Sequence, residues 1–234
     1  MIIKELPVDK WIDYLKKHPV PELMDEECMK ALENVRAEYG NTISHGAGLE
    51  VRLSEEARYA DYIMNIDTSE IPHVESLWYE LDYAAFKDEK KEIIPCLFAN
   101  ISRDEDGSYN KTRDETLPAM MGEHRMMLLK KAFDDVVSRL PKGAHIKQVG
   151  SMSSRGELDI MRLVIAFPSW DLIPEGLSDI GWQGDTKALQ EALAPWKETG
   201  MAAVNIDLGE NGVLSKIGME TSSRWRQPIL VDKF

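Results

Sequence analysis

The chain has 234 residues, 43% of them hydrophobic and 29% charged, which suits a soluble folded protein with room for an ordinary core and excludes intrinsic disorder. A net charge of −13 argues against nucleic acid as a partner, because phosphate binding needs an excess of Lys and Arg. The longest apolar runs, such as Leu163 to Phe167, are too short to span a bilayer. The N-terminal MIIKELPVDKW lacks a basic segment followed by an apolar stretch, so the reading is a cytoplasmic protein with no membrane association.

Taken in order, the pattern predicts two helices first. WIDYLKK (Trp11 to Lys17) and MDEECMKALENVRAEYG (Met24 to Gly40) are separated by Pro19 and Pro21, and Gly40 supplies a C-terminal stop. Next comes a strand pair in GLEVRLSEEARYADYIMNID, with arms at about Leu49 to Leu53 and Tyr59 to Ile66. Its polar face carries Glu50, Arg52, Asp61 and Asn65, and can look out at solvent or into a cavity. LWYELDYAAF and IIPCLFANIS read as two further strands, rich in aromatic and β-branched residues. Residues 103–116, RDEDGSYNKTRDET, form the longest polar stretch and read as a mobile, solvated loop.

A single helix is expected from Pro118 to Leu140, where Leu129, Phe133, Val136 and Leu140 recur at three and four. HIKQVGSMS and DIMRLVIAF then form a strand pair, followed by two helices, with Asp185 as N-cap of the second. MAAVNIDLG and SKIGMETSS close the series as a hairpin turning over ENG. The whole is expected to be a single α+β domain of antiparallel hairpins interleaved with helices. It is either an αββα-type barrel or a large curved sheet covered by helices. A weak echo between MNIDTSEIPHVESLWYELDY and VNIDLGENGVLSKIGMETSSRW hints at a repeated unit.

Familiar catalytic signatures are missing: no GxSxG, no phosphate loop and no HxH, HxxxH or HExxH spacing, so no metal site and no cofactor is expected. Cys28 and Cys96 lie far apart and read as reduced, partly buried thiols. What remains is a set of cations inside apolar strands: Arg52, Lys147, Arg162 and Lys216. Two readings stay open for them. They are long side chains on a solvated sheet face, or they converge inside a barrel and neutralise a diphosphate or carboxylate. Glu50, two residues from Arg52, is then a candidate base, with a cross-strand ion-pair partner as the alternative. Most aromatics read as core, while Tyr62 and Trp78 are candidates to line a lumen and shield a carbocation.

Over HIKQVGSMSSRGELDIMRLVIAFPSWDLIPEGLSDIG the chain resembles the strand–turn–strand–helix unit of αββα-barrel prenyltransferases of the cyanobactin type, with Arg162 as the cation of the return strand. VNIDLGENGVLSKIGME resembles the following hairpin, with Lys216 in the corresponding place. The resemblance implies a metal-independent transferase that holds a prenyl diphosphate on Arg52, Lys147, Arg162 and Lys216. It would alkylate a small aromatic or peptide acceptor with Glu50 as base. Four hairpins are countable where that family has five. The alternative is a non-catalytic peptide-binding or accessory protein that presents a substrate to a partner enzyme, using hairpin edges for strand addition.

Overall fold

The computed structural model describes residues 5–19, 21, 24–51, 59–66, 68, 71–88, 92–155, 159–197 and 202–220. The protein is α+β with antiparallel strands, and it divides into two compact units. The first comprises residues 1–101 and 150–158, the second residues 102–149 and 159–234.

In the first unit, β1 (Leu6–Pro7) leads into helices α1 (Val8–Lys17) and α2 (Glu26–Tyr39), and Asp25 caps α2 by accepting from the Cys28 amide at 2.8 Å. Strands β2 (Ile43–Val51), β3 (Ala60–Ile66), β4 (Ser76–Leu81) and β5 (Cys96–Asn100) follow, each antiparallel to the one before. Between β4 and β5 lies the short helix α3 (Tyr83–Phe86). The expected strand LWYELDYAAF therefore ends early. Backbone turns at Asp82, and Phe86 swings into the helical layer, where it is fully buried.

Strand alternation sorts this sheet into two faces. Tyr62, Met64 and Leu81 point into a core with Val8, Ile12, Cys28, Leu32 and Val35 of the two helices, all of them fully buried. At roughly 1.5–3 kcal/mol for each large apolar side chain, this layer holds the unit together. Two polar clamps close its edge: Tyr39 donates to the Ile93 carbonyl at 2.7 Å and Asn34 to the Phe86 carbonyl at 2.7 Å. Asp61, Ile63, Trp78 and Glu80 alternate with the core residues and so occupy the opposite face.

The second unit departs from expectation at residues 103–116. Asp104 folds this stretch back by accepting from the Ser108 hydroxyl and the Lys111 amide at 2.9 and 3.0 Å, and a helical segment begins at Asn110 and includes a π-helical turn, Thr112–Thr116. The expected helix from Pro118 to Leu140 is two, α4 (Leu117–Met121) and α5 (Glu123–Arg139). Gly122 between them has φ 85°, a left-handed conformation that breaks the helix and favours glycine.

Strands β6 (His145–Ser151) and β7 (Met161–Phe167) precede helices α6 (Ile173–Asp179) and α7 (Thr186–Leu193). Asp185 caps α7 as expected, accepting from the Lys187 and Ala188 amides. Strands β8 (Ala202–Gly209) and β9 (Gly212–Glu220) pair in sequence with β7. Helix α5 buries Met126, Leu129, Phe133 and Val136 and packs against β8 and β9. No described helix is long and apolar enough to cross a membrane.

Candidate functional site

Charge is concentrated on the first unit's second sheet face. Asp61 on β3, Glu80 on β4 and Asp82 just after β4 are each 7% exposed. Their carboxylate oxygens lie within 4.8 Å of one another. The pairing explains the convergence. Tyr62 faces Leu81 and Ile63 faces Glu80, so the residues flanking these pairs on the same face meet across the two strands. The Asp61 carboxylate also accepts from the Tyr83 amide at 2.6 Å, which ties the start of α3 to β3. Tyr59 stacks on the Tyr83 ring at 5.0 Å beside this corner.

A cation that serves this group comes from far along the chain. Residues 150–155 return to the first unit because Gly150 sits against Phe98: a Cβ there would lie 2.5 Å from the ring, so only glycine permits the approach. Ser151 accepts from the Leu97 amide at 3.3 Å, and Met152 is fully buried. A 3-10 turn, Ser153–Arg155, then delivers Arg155 onto the acids. Its Nε donates to both Asp82 oxygens at 3.1 and 3.3 Å, and its Nη2 donates to Glu80 Oε1. Arg155 thus bridges Glu80 and Asp82, with Asp61 close by.

These carboxylates are crowded together in a poorly solvated place, which disfavours their charged forms. Burial raises the Glu80 carboxyl, Arg155 pulls it back down, and the charges of Glu50, Asp82 and Asp61 push it up again, leaving it at about 7. Burial by itself would lower Arg155, but the Glu80 and Asp82 carboxylates more than reverse this and hold the guanidinium above its ordinary value. Glu80 is therefore a carboxyl that gains and loses its proton near neutrality, the property required of a general acid or base.

The residues singled out from the sequence fall in several places. Glu50 lies on β2 directly opposite Asp61, is exposed, and acts on Glu80 through its charge. Trp78 is half-buried, two residues before Glu80 on the same face and paired with Phe98. Tyr62 is on the other face, fully buried in the helix–sheet core. Its hydroxyl makes no hydrogen bond among the described residues, and burial raises its pKa. Arg52 lies outside the described residues.

The three remaining cations belong to the second unit's strands. Arg162 faces Asp207 across β7 and β8 and grips it with two hydrogen bonds, Nε to Oδ1 at 2.7 Å and Nη2 to Oδ2 at 3.0 Å. Both side chains are largely buried, at 14% and 7% exposure. Lys147 on β6 is 3.8 Å from Glu220 on β9 and half-exposed, while Lys216 on β9 is exposed. The structure therefore joins Arg162 and Lys147 to carboxylates of their own sheet.

Sequence reasoning missed Glu80, Asp82, Asp61 as a set, and Arg155. The signal was partly there: the acids in WYELDY alternate, which puts Glu80 and Asp82 on one face of an otherwise apolar segment. Neither a scan of family models nor searches of curated proteins and solved structures finds a match to this chain.

Proposed function

We propose that the chain is a transferase-like enzyme that works by acid–base chemistry at Glu80. The reaction in view is the metal-independent prenyl transfer to a small aromatic or peptide acceptor that the sequence resemblance implies. One observation carries the reading: a buried carboxyl poised at about 7, held between an arginine and two further acids on the sheet face opposite the helical core. In the transfer step the bond between the prenyl C1 and the diphosphate oxygen breaks, and C1 bonds to the acceptor. The acceptor's proton passes to the ionised Glu80 carboxylate. Glu80, which is buried, replaces the exposed Glu50 as base in this reading, and Trp78 on the same face is the aromatic neighbour for the acceptor or the cation.

The experiment is turnover of dimethylallyl and geranyl diphosphate with aromatic and peptide acceptors, followed by mass spectrometry. The expected result is product formation that rises with pH through about 7 and falls by about 10²–10⁴-fold in Glu80→Gln. Product formed equally by Glu80→Gln would remove the acid–base assignment. Stable peptide binding without any product would favour the accessory protein instead.

A further inference from the structure

We propose that the outer edge of β9 is a self-pairing surface, on which a second copy of the chain adds its own β9 in antiparallel register. Among the described residues β9 is the last strand of its sheet, pairing with β8 on one edge and with no strand on the other. Such an edge presents backbone donors and acceptors that another strand can use, unless the strand is very short or otherwise blunted. β9 is nine residues long, and Leu214 and Met219 on it are 37% and 42% exposed. Trp182 Nε1 already holds the Ser215 carbonyl at 2.9 Å, so the stretch on offer is residues 216–220.

That stretch, Lys216-Ile217-Gly218-Met219-Glu220, is its own complement: cation, apolar residue, glycine, apolar residue, anion. Antiparallel pairing centred on Gly218 therefore sets Lys216 of each copy against Glu220 of the other. Residues directly opposite in such a pair have Cβ atoms about 4.5–5.5 Å apart, close enough for two ion pairs, one on each side of the axis. Ile217 of each copy then opposes Met219 of the other on the reverse face, and the glycines at the axis put no side chain between the charges. Neighbouring registers lose this match. Centred on Lys216 the pairing sets the two lysines against each other, and centred on Ile217 it sets Lys216 against Gly218. Both charges are at hand: Lys216 is exposed and makes no ion pair among the described residues, and Glu220 has Lys147 at 3.8 Å, beyond hydrogen-bond length. The occupant is a second copy because a matching strand must carry this order of charges reversed, and β9 does so itself. No residue of the Glu80 group takes part, so this proposal and the acid–base reading fail separately.

The test is sedimentation velocity of the whole chain over a dilution series at about 0.1 M salt. A five-residue pairing is a small interface, so the dimer is expected at about 100 μM and should dissociate on dilution to about 1 μM. Lys216→Glu and Glu220→Lys each set like charges opposite one another at two places in the dimer. Each should weaken it by at least about tenfold, with thermal unfolding little changed because both side chains lie at the surface. An equimolar mixture of these two variants should associate again, since one carries only anions at the two positions and the other only cations. Lys216→Glu combined with Glu220→Lys in one chain should dimerise as the unchanged protein does. A monomer at about 500 μM overturns the proposal, including one whose β9 takes up an unrelated extended peptide instead. So does a dimer that persists in Lys216→Glu, or single variants that weaken it yet do not associate when mixed.

Discussion

Each unit places an arginine against carboxylates on a strand face, yet the two arrangements differ in how closely carboxylates crowd around it. In the second unit Arg162 and Asp207 are opposite one another, one cation to one anion, with both hydrogen bonds of the fork made. In the first, Arg155 answers to Glu80 and Asp82 with Asp61 close by, so buried carboxylates are crowded against one another. A balanced pair needs no proton to stay buried. Burial and neighbouring carboxylates together raise a carboxyl's pKa, and here the group so raised is Glu80. The same residue types thus make a fixed structural tie in one place and a proton-exchanging group in the other.

The largest effect is expected from breaking the balanced pair. Asp207→Ala leaves a largely buried guanidinium without its partner and should cost about 3–5 kcal/mol in urea unfolding. Replacing both partners, as Arg162→Met with Asp207→Leu, should recover most of that loss, because the cost lies in the orphaned charge and not in the missing bond. Failure to recover would mean that the pair does more than neutralise itself.

Arg155→Ala is expected to cost somewhat less, about 2–4 kcal/mol at pH 8, since its side chain retains more contact with solvent. The cost should shrink at pH 5, where Glu80 is protonated and needs less compensation. A pH-independent cost would place this cluster with the balanced pair.

Glu80→Gln sharpens the contrast further, because its sign reverses. The native carboxyl holds its proton up to about 7 against an ordinary 4.5, so its contribution to stability is fully present below about 4.5 and lost as pH rises through about 7. At about 1.36 kcal/mol per pH unit the full effect is about 3 kcal/mol. Glu80→Gln should therefore be more stable than the unchanged protein at pH 8, by about 1–3 kcal/mol, and should flatten the pH dependence between 4.5 and 7. Thermal unfolding across this range reads both.

The smallest effects belong to the exposed cations. Lys147→Ala, in a water-exposed ion pair, and Lys216→Ala, at an exposed lysine, are each expected within about 1 kcal/mol of the unchanged protein. A larger loss at either position, or a loss of diphosphate binding there, would return these lysines to the place the prenyltransferase resemblance implies for them.

How much of this was legible beforehand depended on distance along the chain. Helices α1, α2 and α7, and most strands of both units, are written locally, in apolar spacing, caps and turn residues; β2 is an exception, running Ile43–Val51 where an arm at about Leu49 to Leu53 is expected. Those signals act within a few residues and need no partner to be read. LWYELDYAAF shows where local reading stops. Its aromatics fit a strand throughout, but α3 forms because Phe86 has a buried place to fill between the sheet and the helices. The break at Gly122 was likewise a matter of tertiary fit, since a glycine within an apolar-periodic stretch does not announce its φ.

The amino-acid sequence by itself determined that this is an antiparallel α+β protein with charged residues on otherwise apolar strands. The tertiary structure alone decided which charges meet. Strand register set Asp61 beside Glu80 and Arg162 beside Asp207, and the return of residues 150–155 past Phe98 set Arg155 onto its acids. Register depends on the whole sheet packing against its helices, and a single-residue slip would send each of these side chains to the other face.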